Sequence, residues 1–410
     1  IIHREQCGKV PVPDEQLPLR LPRDVAFKPT GESPLLGCKT FMNVKCPKCG
    51  NPARRDPDTM DTFVDSSWYM FRYISPRCKD EVFNKDDVHK WAPIDFYVGG
   101  IEHATMHLIY TRFFTMVMNQ LGLLNFDEPA VRLFCQGMVC KMAYFCPELK
   151  WVQEEDVKDG ICVKSGKKVV AEVAKMSKTK LNTVSPDDII NRYGADTMRF
   201  YMLADTPPDR DQIWDDKGVL AAHRFLRRLW DLVIVKAEEI SRNNTGDPQH
   251  DKRLLKVMHN TIKNATNDFS VTLQFNTAIA RVYELVNAAK ASENVSASAL
   301  RHAIETILKL LNPIIPHICE ELWQILGNTA SLLREPWPLH DESALIDDEI
   351  TIVIQVNSKL RSKLEVPANI SQEEIERLAL ADEKIQSYID GKQILKKIVV
   401  PNKLVNIVVK

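Results

Sequence analysis

The chain has 410 residues, 44% hydrophobic and 27% charged, which is long enough for two to four domains and ordinary for a globular protein. Its formal net charge of -1 excludes a generally basic nucleic-acid-binding protein, although a local basic surface is enough for phosphate contacts. No apolar run approaches 18 residues and nothing at the start resembles a signal peptide, so we expect a cytoplasmic protein without a membrane span.

The first predicted element is a loop-rich amino-terminal segment. Residues 1–57 are rich in Pro, Gly and Cys and lack a periodic apolar pattern. Cys46 and Cys49 lie at Cys-x-x-Cys spacing, which suits half of a tetrahedral zinc knuckle. The ten cysteines of the whole chain are too sparse for a disulfide scaffold and indicate reduced thiols. Because the chain begins Ile-Ile-His without an initiator Met, we expect the middle of a longer protein or one half of a split protein.

Residues 58–216 are predicted to form an α/β region. Ile94–Val98 is an apolar run of strand length and predicts a short buried strand. Apolar positions at helical spacing predict a helix over Ala104–Leu121. A short polar insertion follows at about 143–173, where two glycines indicate hairpins.

A loop over residues 175–179 reads Lys-Met-Ser-Lys-Thr and runs into a helix start. Two lysines three residues apart on a loop, Lys175 and Lys178, can neutralise charge that develops on a polyphosphate in a transition state. The helix start has Ser185 as N-cap, Pro186 at the first helical position and two acids in the first turn. The residues alone therefore indicate a nucleotide-handling loop.

The second half of the chain is predicted to be mainly helical. Four amphipathic helices form a bundle over 217–333, at roughly 217–243, 252–268, 274–292 and 297–326. The segment Asn312–Pro316, which holds two prolines, divides the last helix. A linker at 334–348 leads to an α+β module at 349–410, with a strand hairpin, a helix over about Ser371–Ile389 and further strand. The predicted fold class is thus α/β plus all-α plus α+β.

A second group of residues suited to chemistry follows the predicted strand. Gly99 and Gly100 allow a flat ring or a phosphate to approach the backbone, and the carboxylate of Glu102 suits a ribose diol. His103 and His107 are four apart and are expected to share a helix face. Such a pair could equally be half of a metal site, or two hydrogen-bonded histidines on a partly buried helix.

Several motifs together resemble the leucyl-tRNA synthetases of bacterial type, a family of class I aminoacyl-tRNA synthetases. In the family's order the catalytic motifs lie within Asp58–Tyr69, Gly99–Phe114, Gln136–Val139 and Lys175–Thr179. The helical and carboxyl-terminal motifs lie within Phe275–Ala278, Asn312–His317 and Val356–Asn406. The resemblance covers essentially the whole chain, and its leucine-specific pattern disfavours the relatives for other aliphatic amino acids. It implies the second half of a doubly wound, Rossmann-like catalytic domain, then an anticodon-binding-like bundle and a tRNA-binding module.

The resemblance also implies two sets of binding residues. The leucine side of the pocket would be lined by Phe63, Ser66, Tyr69, Tyr97, His103 and His107. ATP would be bound by Gly99, Gly100, Glu102, Gln136, Met138, Val139 and Met176. Aromatic walls can measure an apolar side chain, at about 1–3 kcal/mol per methylene.

Three loop residues are implied to be catalytic: Lys175, Ser177 and Lys178. The lysines would stabilise pyrophosphate as the carboxylate of leucine attacks the α-phosphorus of ATP, with Mg²⁺ present. Positioning and charge neutralisation drive that step, without a covalent enzyme intermediate. Basic residues implied to contact tRNA are Arg224, Arg227, Arg228, Lys359, Arg361, Lys396 and Lys397.

The chain departs from the family at the phosphate loop and the knuckle. Family members usually have Ser in place of Thr179 and often Gly in place of Leu181, so we expect a tuned, stiffer loop. A family-like knuckle has a second Cys-x-x-Cys near the start, where this chain reads Arg-Glu-Gln-Cys and supplies only Cys7. With Cys7, Cys46 and Cys49 as metal ligands, His3 or Cys38 would have to complete a Zn²⁺ site. A decayed, metal-free knuckle is the alternative.

The family's His-x-Gly-His type motif and its editing domain have no counterpart in the sequence. The resemblance therefore implies the carboxyl-terminal half of a leucine–tRNA ligase, with leucine, ATP and leucine-accepting tRNA as partners. We expect it to be inactive without an amino-terminal half. A non-catalytic tRNA-binding fragment or paralogue is the alternative, although such a module has no need of Lys175, Lys178 or Glu102.

Overall fold

A computed structural model describes residues 1–26, 31–346, 349–367, 370–400 and 403–410. The end of the predicted linker and the Pro-Asn pair at 401–402 lie outside the described residues. Contacts within the chain define two compact units, Ile1–Gln136 and Gly137–Lys410. This division does not coincide with the boundaries predicted after residues 57, 216, 333 and 348, which stay predictions. None of the described helices has the length and apolarity needed to cross a bilayer.

The first unit combines short strands with short helices. Its strands are β1 (Ile2–Arg4), β2 (Gly8–Val10), β3 (Asn43–Lys45), β4 (Pro52–Arg55), β5 (Ile94–Gly100) and β6 (Ala130–Gln136). Its helices are α1 (Lys39–Met42), α2 (Phe63–Ser66), α3 (Tyr69–Ile74), α4 (Lys85–Trp91) and α5 (His107–Gln120). The first four strands form an antiparallel sheet in the order β2-β1-β4-β3, and β5 pairs with β6 in parallel.

Two predictions for this unit need correction. The strand over 94–98 is present but extends to Gly100, and it is not buried: Phe96 and Val98 are exposed. The physical reason is that β5 and β6 form a two-stranded sheet in the described part of this unit, which leaves much of its surface uncovered. The predicted helix over 104–121 begins only at His107, after a 3₁₀ turn over Ile101–Thr105 and a break at Met106.

The second unit begins with a β-rich region and continues as helices. Its strands are β7 (Val139–Cys146), β8 (Lys150–Val152), β9 (Val157–Lys158), β10 (Ile161–Cys162), β11 (Val170–Lys175), β12 (Gln212–Ile213), β13 (Glu349–Val356), β14 (Lys359–Pro367), β15 (Ile394–Val400) and β16 (Leu404–Val409). Its helices are α6 (Pro186–Tyr193), α7 (Ala195–Ala204), α8 (Asp216–Ser241), α9 (Pro248–Asn267), α10 (Phe275–Ala291), α11 (Ala297–Leu311), α12 (Pro316–Ile325), α13 (Gln372–Ala381) and α14 (Glu383–Ile389).

The bundle helices α8 to α12 lie close to their predicted positions. They share one large core that also receives α7, through buried side chains such as Leu229, Met258, Leu285 and Leu300. The predicted interruption of the last helix is present, because α11 ends at Leu311 and α12 begins at Pro316. The spacing of apolar residues therefore predicted the positions of these helices correctly.

The carboxyl-terminal module has its own core beneath a mixed sheet in the order β14-β13-β16-β15. The single helix predicted over 371–389 is wrong, because two helices meet at Asp382. The Asp382 carboxylate accepts the Ile385 N–H at 3.0 Å and so caps a new helix. Together the two units confirm the fold class of α/β plus all-α plus α+β.

Candidate active-site elements

The Lys-Met-Ser-Lys-Thr loop begins at the end of β11. This strand pairs antiparallel with β7, where Lys175 lies opposite Cys140. The carbonyl oxygen of Val139 accepts the Met176 N–H at 3.0 Å, and β12 pairs in parallel with the other edge of β7. The start of the loop is therefore fixed in register beside the Gln-Gly-Met-Val segment.

The side chain of Asn182 organises the loop, and sequence reasoning missed it. Asn182 is only 4% exposed. Its Oδ1 accepts the Ser177 N–H at 2.9 Å, and its Nδ2 donates to the carbonyl oxygens of Ala174 and Lys141, each at 3.1 Å. The available signal was an Asn within a polar turn, because short amide side chains commonly bond to nearby backbone.

The lysines of this loop differ in their surroundings. Lys175 and Lys178 are exposed. Lys180 instead pairs with Glu172 at 2.7 Å and lies over the face of Trp151, 4.7 Å from the ring centroid. Lys180 is therefore engaged by neighbouring side chains of β11 and β8, and the two predicted lysines have exposed side chains.

Two further loop details bear on the sequence predictions. The Ser177 hydroxyl accepts the Lys180 N–H at 3.2 Å, so it shapes the turn, and its catalytic role stays a prediction. Leu181, where the family often has Gly, adopts a left-handed φ of 56°. Ser185 occupies the predicted N-cap position of α6, and its side chain makes no capping hydrogen bond there.

The segment after Gln136 is held by the loop before β12. The Gly137 N–H donates to the Pro208 carbonyl at 2.9 Å, and the Met138 N–H donates to Asp211 Oδ1 at 2.8 Å. A Cβ on Gly137 would lie 2.1 Å from the backbone of Arg210, so this approach requires glycine. Asp211 is a second positioning residue that the sequence did not reveal.

All the predicted leucine-side residues lie in the first unit, and hydrogen bonds join four of them. The Tyr97 hydroxyl lies 2.8 Å from His107 Nε2 and 3.0 Å from the Tyr69 hydroxyl. Ser66 Oγ lies 3.4 Å from His107 Nδ1. His107, at the first position of α5, is therefore the centre of the cluster.

Aromatic contacts extend the cluster to the other two residues. The Phe63 ring lies 6.3 Å from the His107 ring and 6.4 Å from the His103 ring. The two histidines do not share an α-helix face, because His103 is in the 3₁₀ turn, yet their rings are perpendicular at 6.1 Å. Burial, together with the charge of His103, lowers the pKa of His107, and burial raises the pKa of Tyr97. Tyr97 and His107 are thus neutral near pH 7, and the binding of leucine by the cluster stays a prediction.

The predicted adenosine residues of the first unit lie at the carboxyl ends of β5 and β6. Gly99 lies opposite Cys135, and Gly100 lies opposite Gln136. The Glu102 carboxylate approaches Gly100 so closely that a Cβ there would be 2.4 Å from its Oε2. Ligands of open α/β sheets bind at this end of the strands. The other predicted ATP residues, Met138, Val139 and Met176, belong to the second unit.

Three of the cysteines form a separate cluster in the first unit. The sulfur atoms of Cys7, Cys46 and Cys49 all lie within 4.8 Å of one another. The group does not include His3, whose Nε2 lies 2.8 Å from Asp56 Oδ2, or Cys38, whose sulfur lies 3.3 Å from Thr40 Oγ1. Neither proposed fourth ligand is thus placed with the three thiols.

The backbone around these thiols favours a thiolate at one of them. The Asn51 N–H and a hydrogen bond with Cys7 lower the pKa of Cys49 to about 7. The same contact with Cys49 raises the pKa of Cys7 to about 11. Three thiols at this spacing could hold a thiophilic metal ion.

The predicted tRNA-contacting residues are spread over α8 and the carboxyl-terminal module. Arg224, Arg227 and Arg228 are exposed on α8. In the module, Lys397 forms an ion pair with Glu376, and Arg361 lies over the Tyr388 ring at 4.3 Å. Lys359 and Lys396 are exposed as well. The structure therefore brings the predicted residues to the surface in two groups rather than one.

Two family models match the chain. The model for tRNA synthetases class I (I, L, M and V) matches residues 164–215, which include the lysine loop. The model for the anticodon-binding domain of tRNA ligase matches residues 251–376, which include most of α9 and all of α10 to α12.

Curated relatives match along the whole chain. A leucine–tRNA ligase of Desulfatibacillum aliphaticivorans is 46% identical over 100% of this chain and 49% of its own length. One of Thermotoga maritima is 44% identical over 100% of this chain and 47% of its own length. The chain belongs to the leucine–tRNA ligase family. This confirms the predicted resemblance, and the chain spans about half the length of the curated relatives it matches.

A solved structure supports the same family. The ternary complex LeuRS–tRNA–LeuAMS of Agrobacterium radiobacter K84 is 34% identical, with a TM-score of 0.76. The match covers 100% of this leucine–tRNA ligase homologue and 49% of that chain.

Proposed function

We propose that this chain serves as the carboxyl-terminal part of a leucine–tRNA ligase, which activates leucine with ATP and transfers it to tRNA. It contributes the lysine loop, one side of the leucine and adenosine sites, and two surfaces for leucine-accepting tRNA. Activity requires an amino-terminal half. We also keep the prediction that the protein acts in the cytoplasm.

The geometry of the lysine loop is the observation that most supports this function. The buried side chain of Asn182 fixes the loop backbone, while Lys175 and Lys178 are exposed. A preorganised pair of cations is worth most where negative charge develops, because no reorganisation is needed during reaction. A module that only binds tRNA would not need such an arrangement.

In the proposed reaction a carboxylate oxygen of leucine bonds to the α-phosphorus of ATP, and the bond to the leaving pyrophosphate breaks. Lys175 and Lys178 offset the charge that grows on the leaving group, and Mg²⁺ would accompany the nucleotide. The cluster around His107 receives the leucine side chain, and its half-buried Tyr97 and neutral His107 place no formal charge against it. Glu102 hydrogen-bonds the ribose.

Leucine-dependent ATP–pyrophosphate exchange tests the proposal. We expect the chain alone to be silent and to become active when mixed with the amino-terminal half of a homologous ligase. Lys175→Ala and Lys178→Ala should each lower the exchange rate by about 10²–10³-fold, as for other residues that stabilise transition-state charge. Lys180→Ala is the matched control, because Lys180 is on the same loop but is engaged by Glu172 and Trp151.

Three outcomes separate the alternatives. Exchange by the isolated chain would contradict the need for an amino-terminal half. Equal losses in all three lysine variants would contradict the roles of Lys175 and Lys178. Silence after mixing, with tRNA binding intact, would favour the non-catalytic tRNA-binding protein.

A further inference from the structure

A small pocket opens on the second unit where α6, α7, α8 and α12 meet. Its volume is about 230 Å³. Residues of all four helices line it, among them Tyr193, Thr197, His223, Arg227, Trp230 and Ile318. This volume is below the roughly 300–1,000 Å³ of pockets that enclose drug-sized ligands, so it suits one flat ring system. Asp196 is the only acid among the described residues that line it, and both of its carboxylate oxygens are already hydrogen-bonded.

Hydrogen bonds between the lining residues determine which ring nitrogen of His223 carries a proton. The Thr197 hydroxyl donates its single proton to the Tyr193 carbonyl oxygen at 2.7 Å. At its contact of 3.3 Å with His223 Nδ1 the imidazole must therefore be the donor. The neutral ring then has its lone pair on Nε2, which has no partner among the described residues.

A second lining residue has an unused hydrogen-bonding group. The side chain of Trp230 is half-buried, and its indole N–H lacks a partner in the part of the chain that the structure describes. Buried tryptophan N–H groups usually find a partner within the protein. The residues of this pocket therefore retain one acceptor, on His223, and one donor, on Trp230, for a ligand.

One cationic side chain also lines the pocket. Arg227 is exposed, and its guanidinium makes no ion pair, hydrogen bond or ring contact with another described residue. His223, Arg227 and Trp230 are three or four residues apart on α8, so they lie on one face of that helix. A guanidinium suits a phosphate. Aromatic side chains with a free donor and acceptor suit the face and the edge of an unstacked nucleobase.

We propose that this pocket binds one nucleotide of tRNA, with Trp230 and His223 contacting its unstacked base and Arg227 its phosphate. The inference rests on the proposed function, because that function makes tRNA the partner. A free nucleotide has the same chemistry, but one base and one phosphate contact would bind it only weakly against the lost freedom of association. A tRNA that also contacts basic residues such as Lys359 and Lys396 presents its bases at a high effective concentration.

Binding of a leucine-accepting tRNA transcript to the full chain, measured over a range of salt concentrations, tests the proposal. Trp230→Phe and His223→Phe keep an aromatic ring but remove a hydrogen-bonding group, and each should weaken binding by about 3–10-fold with an unchanged salt dependence. Arg227→Gln should weaken binding and lower the slope of log affinity against log salt by about one. Trp337→Phe is the matched control, because its indole N–H donates to Thr266 outside the pocket, and it should bind tRNA like the wild type.

Chemical probing of the tRNA with reagents selective for each of the four bases gives a local measurement. One unpaired base should be protected by the wild type and become reactive again with Trp230→Phe. If a phenylalanine variant does not fold, base protection by the wild type and the salt slope of Arg227→Gln still decide.

Three results would overturn the inference, and they are distinguishable. Wild-type affinity in both phenylalanine variants, with no base protected, would contradict the pocket and leave the proposed function intact. Absence of tRNA binding by the wild type would contradict both. Saturable quenching of tryptophan fluorescence by AMP below about 1 mM, lost in Trp230→Phe, would show a site for free nucleotides instead of tRNA.

Discussion

Asp196 joins two helices of the second unit through a buried carboxylate, and replacing it should destabilise the bundle. This residue of α7 accepts the Ile318 N–H at 2.8 Å and lies 2.7 Å from His317 Nδ1. Ile318 is in the first turn of α12, whose N-cap residue makes no side-chain hydrogen bond. Asp196 thus caps α12 from another helix and places a negative charge at its positive end.

The size of the effect follows from the exposure of the two partners. The Asp196 side chain is 9% exposed, whereas that of His317 is 75% exposed and can bond to water instead. Most of the loss therefore comes from the Ile318 N–H, since a hydrogen bond to a charged group is worth about 1.5–3 kcal/mol. We expect Asp196→Ala to cost ~2 kcal/mol, or about 4–8 °C in the melting temperature of a unit of this size. Asp196→Asn keeps an acceptor and should cost about half as much.

Thermal unfolding followed by circular dichroism measures the global effect, and hydrogen exchange at the Ile318 amide reports the local one. The local measurement is needed because a chain with several cores need not unfold in one step. His317→Ala is the matched control and should cost under ~0.5 kcal/mol. If His317→Ala were as costly as Asp196→Ala, or if exchange at Ile318 were unchanged in Asp196→Ala, the capping argument would be refuted.

Three further predictions concern the loop, a glycine contact and pH. Leu181→Gly should not lower the melting temperature, because glycine readily adopts the left-handed φ of this position. Leu181→Val should lower the free energy of unfolding by about 1 kcal/mol, because a β-branched residue tolerates this φ least. A glycine variant less stable than the valine variant would contradict this reasoning. Gly137→Ala should lower the free energy of unfolding in urea by at least about 2 kcal/mol, since its Cβ would lie 2.1 Å from the Arg210 backbone. Gly99→Ala is the control and should leave this free energy unchanged, because no atom lies within 4 Å of the added Cβ. Burial and the neighbouring His302 lower the pKa of His259 in the folded protein below 6.5, its value in the unfolded chain. The folded state is therefore stabilised by neutral His259 above pH 6.5, and this contribution is lost as the pH falls through the lower pKa of the folded state. Hydrogen exchange of the Asp341 N–H, which donates to His259 Nδ1, should therefore rise as the pH falls below 6.5, after correction for the intrinsic rate. His259→Gln should remove this pH dependence.

Periodicity predicted those parts of the fold whose stability comes from burying a regular apolar face. The bundle helices α8 to α12 are the clearest case, because their apolar spacing directly determines the shared core. The predictions failed where one side chain decided the backbone path. Asp382 begins a second helix inside a continuous amphipathic pattern, and Met106 adopts a backbone conformation that delays α5 until His107. Neither event changes the apolar period, so the pattern contained no sign of it.

The same distinction applies to the candidate site. The exposed groups that would meet a substrate, such as Lys175, Lys178 and Glu102, were named from residue type and motif. Asn182, which holds the lysine loop, and Asp211, which holds the segment beside it, act through backbone N–H and carbonyl groups from distant parts of the chain. Their partners are set by the pairing of β7 with β11 and β12, and that register is a property of the folded sheet. The positioning residues therefore become visible only once the strands are paired, and they explain why a loop of exposed lysines can be rigid enough to act on a phosphate.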